Sequence, residues 1–391
     1  VSRRASWLLL PIIYLGFVSL GLPDGTLGVA WPRMHVDLGQ PLQAAGWIMV
    51  VATLLSATAS VTSGAILKRF GTGPVVLASC LLTGGALLAT SQVPTFARLL
   101  VLAIPLGLGA GAVDASLNGF VARHYTGRHM NWLHACWGIG ATSGPLIMTR
   151  ALASSQGWRS GYLAIGTIQL GLAAIFALTL RLWDTMPDTS SASGSTATAL
   201  PGATAGRQAN SEAGWLSAAI FVLYMATELT MGLWANSILV VGRGIPQAAA
   251  GLCVSAYYAS ITVGRIVNGF VVDRWGNRRL VTAGSIIALL GIGLFAAAQS
   301  AVSAGAALCL MGVGLAPIYP GLMHEVPRRF VPEAVSTIIG RQSGATCLGA
   351  AVCPLAAGWL SVRLPLEAIG WVVALSALLL LAAIRRLDRI S

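Results

Sequence analysis

Twelve apolar blocks separated by short polar joints run along the chain, at about 6–31, 43–66, 73–90, 98–122, 130–152 and 158–181, then at about 214–241, 248–271, 280–298, 302–324, 335–360 and 366–384. Each approaches or exceeds the roughly 20 residues that a helix needs to cross a bilayer. The first block is interrupted by Gly21-Leu-Pro-Asp-Gly-Thr26, where Pro23 and its neighbouring glycines permit a bend beside an ionisable Asp24. Residues 183–213 change character: Ser, Thr, Ala, Gly and Pro dominate, and such a segment cannot bury enough apolar surface to order itself. The pattern therefore predicts an all-α membrane protein with a six-helix half at 1–182, a flexible linker at 183–213 and a second six-helix half at 214–391.

Composition agrees, since 56% of the 391 residues are hydrophobic and only 9% charged, against roughly 25% charged in soluble domains. The net charge of +12 is spread singly and in pairs between the apolar blocks, without the long basic run of a nucleic-acid binder. Sixteen Lys and Arg side chains fall on one set of alternate joints and six on the other. By the positive-inside tendency, the sixteen mark the cytoplasmic face, which would hold both termini and the linker. The expected location is a bacterial inner membrane. Cys80, Cys136, Cys253, Cys309, Cys347 and Cys353 lie inside apolar blocks without metal-ligand spacing and read as packing residues.

The polar residues inside the blocks carry the functional signal, because an ionisable group at the bilayer centre is costly and usually faces a bundle interior or watery cavity. Asp114 and Asn118 in the fourth block are four residues apart, on one helix face with Gly107 and Gly111. Glu228 lies near the middle of the seventh block and suits a group that takes up and releases a proton. Asp24 falls nearer the end than the middle of a span that finishes at Trp31. Asp24, Asp114 and Glu228 are the candidates for proton coupling. His134 and Trp137 share a face of the fifth block; imidazole can relay a proton or bond a hydroxyl, or simply rest on a backbone carbonyl. Trp137, Trp234, Tyr257 and Tyr319 are candidate flat walls for a solute, although aromatics near span ends also serve as interfacial anchors. Arg341 and Gln342 in the eleventh block complete the candidate binding set, with Arg341 able to hold an anion, pair with Asp114 or Glu325, or snorkel outward.

The chain also repeats itself. Gly64-Ala-Ile-Leu-Lys-Arg-Phe-Gly71 returns as Gly269-Phe-Val-Val-Asp-Arg-Trp-Gly276 at an offset of 205, Gly140-x-x-x-x-Pro145 returns as Gly349-x-x-x-x-Pro354 at 209, and Asp24 corresponds to Glu228 at 204. Two repeated halves around a midplane site is a common transporter plan. The segment Gly269-x-x-x-Asp273-Arg274-x-Gly276-x-Arg278-Arg279 resembles the loop signature of the major facilitator superfamily, whose six-plus-six layout covers essentially the whole chain. The resemblance implies a charge relay bracing the two halves, to which Lys68, Arg69, Arg265, Asp273 and Arg274 are assigned; the first copy departs from the pattern with Lys68 in the place of the acid. Pro23-Asp24, Asp114-x-x-x-Asn118 and Leu133-His134-x-x-x-Gly138-x-Gly140-x-x-x-Gly144-Pro145 further resemble the fucose permease-like, sugar-to-proton symporter group, with His134 where that group often has an amide.

The expectation is a monomeric secondary transporter of a small polar, sugar-like solute, coupled to protons by alternating access, with the bilayer and the solute as partners, no nucleic acid, and no cofactor. Sodium coupling stays open. The alternatives are a proton-coupled exporter or an organic-anion transporter, and, more remotely, a receptor that retains the fold. Exporters of the family that the chain resembles often carry Gly-x-x-x-Gly-Pro-x-x-Gly-Gly on span 5, and the absence of the final glycine pair after Gly140-x-x-x-Gly144-Pro145 weighs mildly against export. An enzyme finds no support: there is no Walker loop, Ser/His/Asp arrangement or HExxH motif.

Overall fold

The computed structural model describes residues 3–125, 127–183 and 211–391, so most of the expected linker lies outside the described residues. Six spans come before residue 183: Leu9–Asp37, Leu42–Phe70, Thr72–Ser91, Phe96–Val121, Gly127–Leu152 and Trp158–Leu178. Six come after residue 211: Glu212–Gly242, Gln247–Trp275, Asn277–Ala297, Ala301–Arg329, Pro332–Leu360 and Ala368–Ile390. Eleven are long and apolar enough to cross a bilayer. Span 5 has the length, 26 residues, but His134, Thr142, Ser143 and Thr149 dilute its apolar run. Without water to satisfy the backbone, a helix is the structure such segments can adopt in lipid. Many hydroxyls are absorbed the same way: Ser79, Thr83, Thr142 and Thr149 each donate to the carbonyl four residues earlier.

Two spans depart from the sequence reading. Span 1 is two helices, Arg3–Gly21 and Thr26–Asp37, joined at Gly25 with φ 72°. It continues past Trp31 because its polar last turn is held from outside the hydropathy pattern: Arg33 pairs with Asp37 at 3.4 Å, and the Trp158 indole N–H donates to Asp37 Oδ2 at 2.8 Å. Asp24 therefore sits at the middle of the span rather than near its end. Span 10, expected as one helix, is Ala301–Leu315 followed by Ile318–Arg329. The break falls at Pro317, which has no N–H to continue the ladder.

The internal repeat is visible in the backbone. Gly71 ends span 2 with φ 78° and ψ 168°, and Gly276 ends span 8 with φ 77° and ψ 149°. Both are in a region that L side chains avoid, so the glycines of the two copies serve the same turn.

The halves are packed together at one end only. Call the end that leads into residues 183 and 211 the linker end. The inner core of the first half at that end, with Leu9, Ile13, Phe17, Val76, Leu117, Phe176 and Trp183, is a separate cluster. Its opposite-end core, including Val29, Trp31, Met34 and Trp158, is continuous with the core of the second half. The seam there is built by close backbone approach. A Cβ at Gly28 would meet the carbonyls of Gly232 and Leu233, one at Gly46 would meet Leu355, and one at Gly251 would meet Thr149. The side-chain amides of Asn236 and Gln247 both donate to the Val29 carbonyl at 3.0 Å. Toward the linker end the facing helices part: Val61, Gly64, Trp132, Phe270 and Gly344 are exposed, Phe270 by 78%. We take the gap between these parted helices, which closes where Gly138 of span 5 abuts Thr262 of span 8, as the candidate cleft.

Candidate functional site

At the closed end of this cleft a chain of polar contacts links the two halves. Asp24, in the break of span 1, accepts the Trp137 indole N–H of span 5 at 2.7 Å. The guanidinium of Arg265, on span 8, lies over the Trp137 ring with its Cζ 5.1 Å from the ring centroid. Arg265 Nη2 is 3.8 Å from Glu228 Oε2 and donates to the Tyr224 hydroxyl at 3.4 Å, while Tyr224 in turn donates to Glu228 Oε2. Tyr257 donates to the Glu228 carbonyl at 3.1 Å, and Tyr258 meets the Trp137 ring edge-on, centroids 6.5 Å apart.

Local sequence explains these positions. Tyr224 and Glu228 are four residues apart on span 7 and so share a face. Span 5 reaches span 1 because Gly21, Gly140 and Gly144 sit against the carbonyls of Trp137, Val18 and Leu22, and it reaches span 8 because Gly138 sits against Thr262. Small residues at such crossings let backbones approach where lipid offers no hydrophobic drive. Glu228 and Arg265 are both shielded, their side chains 3% and 14% exposed.

The pair is not saturated. Arg265 has five N–H donors, and its buried Nε has no hydrogen-bond partner among the described residues. Buried donors normally find one. A carboxylate would match the fork geometry a guanidinium prefers.

Other residues singled out in the sequence gather around this centre. Asp114 Oδ1 accepts from Asn118 Nδ2 at 2.9 Å, and lies within electrostatic reach of Asp24 and Tyr319. Tyr319, just past the break of span 10, packs against Phe221 and Tyr224 at 5.1 and 5.8 Å between centroids. His134 meets Phe17 edge-on at 5.4 Å and lies within electrostatic reach of Arg265. Gly107 and Gly111 of the Asp114 stripe face span 2, where a Cβ would meet the carbonyls of Ala52 and Ser56.

Several expectations are corrected. Trp234 is 0% exposed, its indole N–H held by the Pro354 carbonyl at 3.0 Å with Gly358 against its ring, so it wedges spans 7 and 11 together and has no face for a solute. Gln342 is 1% exposed and donates to Ser217 Oγ at 2.6 Å, also between those spans. Arg341 lies over the Trp215 ring at 4.5 Å, near the linker end of span 7, and Glu325 pairs instead with Arg328 at 2.9 Å and Arg278 at 3.4 Å. Arg265, grouped in the sequence with the bracing relay, points into the centre. Lys68, Arg69, Asp273 and Arg274 lie at the linker-end surface, and Asp273 and Arg274 make no ion pair among the described residues. Tyr224 escaped the sequence reading; its signal was the four-residue spacing from Glu228.

Comparison with known proteins agrees with this architecture. Two curated relatives, each named monocarboxylate transporter 11, are similar over part of the chain. The mouse protein, from Mus musculus, is 32% identical over 162 residues, which is 39% of this chain and 35% of the relative. The human protein, from Homo sapiens, is 33% identical over 167 residues, 40% of this chain and 34% of the relative. The alignments thus span about a third of the relatives' length. Among solved structures, the nucleoside transporter NupG superposes with TM-score 0.77 at 14% identity, covering 100% of this chain and 100% of that one. A bacterial homologue of the human lysosomal transporter Spinster, inward-facing and occupied, superposes with TM-score 0.76 at 11% identity over 100% and 98%. At such identities the likeness is one of fold. The sequence profile of the Major Facilitator Superfamily matches twice, at residues 13–215 and 216–390, and so spans nearly the whole chain: the protein belongs to that superfamily and is a multi-pass membrane protein.

Proposed function

We propose that the solute is a small organic monocarboxylate, moved together with a proton, and that Arg265 is its anchor. The observation that carries this reading is the unsaturated guanidinium at the head of the cleft, with one weak hydrogen bond to Tyr224, a loose pairing with Glu228 and a buried Nε that has no hydrogen-bond partner among the described residues. The name of the two curated relatives points to the same chemical class.

The proposed cycle follows from charge. With the cleft empty, Glu228 neutralises Arg265. A carboxylate that joins them leaves one uncompensated negative charge in a low-dielectric site, which costs several kcal/mol. A proton on Glu228 removes it, so anion and proton are admitted together and Arg265 exchanges one carboxylate partner for another. The loaded site is neutral and the halves can rock about it. The excess of Lys and Arg at the linker end supports a cytoplasmic placement of that end, and with it an inward-open reading of the parted helices. Residues 1–182 and 214–391 are proposed as the two rocking bodies.

A second reading has its own observation. The Asp114–Asn118 pair and the half-buried rings of Trp137 and Tyr319 would suit a neutral, hydroxyl-rich solute such as a sugar. Proteoliposome uptake under an imposed inward proton gradient separates the two. Labelled short-chain monocarboxylates are expected to accumulate, and a protonophore to abolish the accumulation. Uptake of hexoses without uptake of carboxylates would replace the first reading with the second, and uptake of neither would sink both.

A further inference from the structure

Trp137 touches both sides of the seam, and each contact is of a different kind. Its N–H is spent on Asp24 of the first half and its ring face on Arg265 of the second. Asp24 has no ion-pair partner among the described residues. Whatever Arg265 learns at short range of the charge on Asp24 therefore passes through the indole. We propose that Trp137 is a positioning residue that transmits the protonation of Asp24 to Arg265, and so makes the guanidinium's hold on its partners depend on a proton bound in the other half.

The chemistry is direct. An ionised carboxylate accepts the indole N–H as a charge-assisted bond, stronger and shorter than a neutral one. Polarising the N–H toward a negative acceptor enriches the ring, and a guanidinium over an aromatic face is held by that ring's charge distribution. Ionised Asp24 thus fixes the indole and strengthens its grip on Arg265. Neutral Asp24 loosens both, and Arg265 is released toward Glu228 or toward an incoming carboxylate. The backbone that carries the indole is packed closely against both neighbouring spans, and one aromatic ring meets it edge-on. Gly138, next in sequence, abuts Thr262 of span 8, Gly21 of span 1 abuts the Trp137 carbonyl, and Tyr258 closes the ring edge.

Other groups act on the same two charges, and a test has to separate them. Asp24 feels Glu228 of span 7, Asp114 of span 4 and Tyr258 of span 8. Arg265 feels Glu228 and Tyr224 of span 7, Tyr319 of span 10 and His134 of span 5. Glu228 and Tyr224 reach Arg265 by contact and the others act through space, while Trp137 contacts both Asp24 and Arg265.

The inference deepens the proton-coupled reading above and rests on it for its meaning, but its first test needs no substrate. Tryptophan emission of purified wild-type protein minus that of W137F isolates the Trp137 signal, to be titrated from about pH 4 to about pH 9. A single sigmoidal change is expected in the wild type. It should vanish in D24N and persist in E228Q. A change that persists in D24N, one that vanishes in E228Q, or the absence of any change in the wild type would overturn the proposal. Should W137F fail to yield folded protein, total emission of wild type against D24N reads the same transition. The second test is transport: in W137F the ratio of gradient-driven accumulation to equilibrium exchange of a labelled monocarboxylate should fall about tenfold, with a flattened pH profile of uptake. An unaltered ratio and profile would overturn the proposal. If the wild type moves no monocarboxylate at all, the substrate assignment fails while the emission titration still decides the role of Trp137.

Discussion

Asp24 and Glu228 occupy equivalent places in the two halves, 204 residues apart, and have been given opposite surroundings. Glu228 lies inside an unbroken helix, Glu212–Ser237, with a tyrosine hydroxyl and a guanidinium against it. Asp24 lies in a break between two helices, held by an indole N–H and by no cation at ion-pair distance among the described residues. The sequence difference behind this is small: Gly21, Pro23 and Gly25 in one half against Met225, Thr227 and Leu229 in the other. Its consequence is a division of labour between duplicated acids. One is the counter-ion of the cation proposed to anchor the solute, and the other is a carboxylate with no cation at ion-pair distance among the described residues.

The comparison is most sharply broken by removing the cation. Arg265→Gln leaves Glu228 buried without its partner, a change that typically costs about 3–5 kcal/mol. We expect carboxylate uptake in proteoliposomes to fall by at least about a hundredfold, well beyond the effect of the same change at Arg341, which lies over Trp215 away from the centre. Glu228→Gln makes the opposite fault, a cation without its anion. The apparent affinity for a monocarboxylate should rise by about tenfold and its dependence on pH should weaken, read by the concentration dependence of exchange at two pH values. Asp24→Asn, by contrast, should leave that affinity closer to wild type than Glu228→Gln does. A tightening in D24N as large as that in E228Q would erase the distinction between the two acids.

The smallest expected effect concerns the seam that holds the two environments together. Asn236→Ala or Gln247→Ala removes one donor from the Val29 carbonyl, worth about 1 kcal/mol each, or roughly a fivefold shift between closed and open states at that end. The labelling rate of a cysteine introduced at Leu233, beside the Gly28 crossing, should rise accordingly.

The spans were legible in the sequence because lipid imposes one rule on every segment, and the apolar runs obey it to within a few residues at most ends. Misreadings came where something other than hydropathy holds the helix. The last turn of span 1 is polar and stays helical through Asp37, which Trp158 and Arg33 secure. The acids were legible for the same reason, as costly intrusions into apolar runs. Arg265 was visible too, but its closeness to the loop signature suggested a loop role. Ten residues before Trp275, the end of span 8, it lies about 15 Å deep at 1.5 Å rise per residue. Which partner a deep charge chooses depends on rotation of one helix against another. That is why Trp137 meeting Arg265, and Trp234 turning away to Pro354, could be learned only from the packed structure.

A carboxylate is proposed to enter only with a proton because the site cannot hold Arg265, Glu228 and an added anion without one. The most direct test is simultaneous measurement of labelled monocarboxylate and proton movement in proteoliposomes, with a pH-sensitive dye on the outside. The account predicts that uptake alkalinises the outside in step with the label, close to one proton per carboxylate, and that Arg265→Gln loses both signals together. Carboxylate uptake with no proton movement, or undiminished proton-coupled uptake in Arg265→Gln, would contradict it.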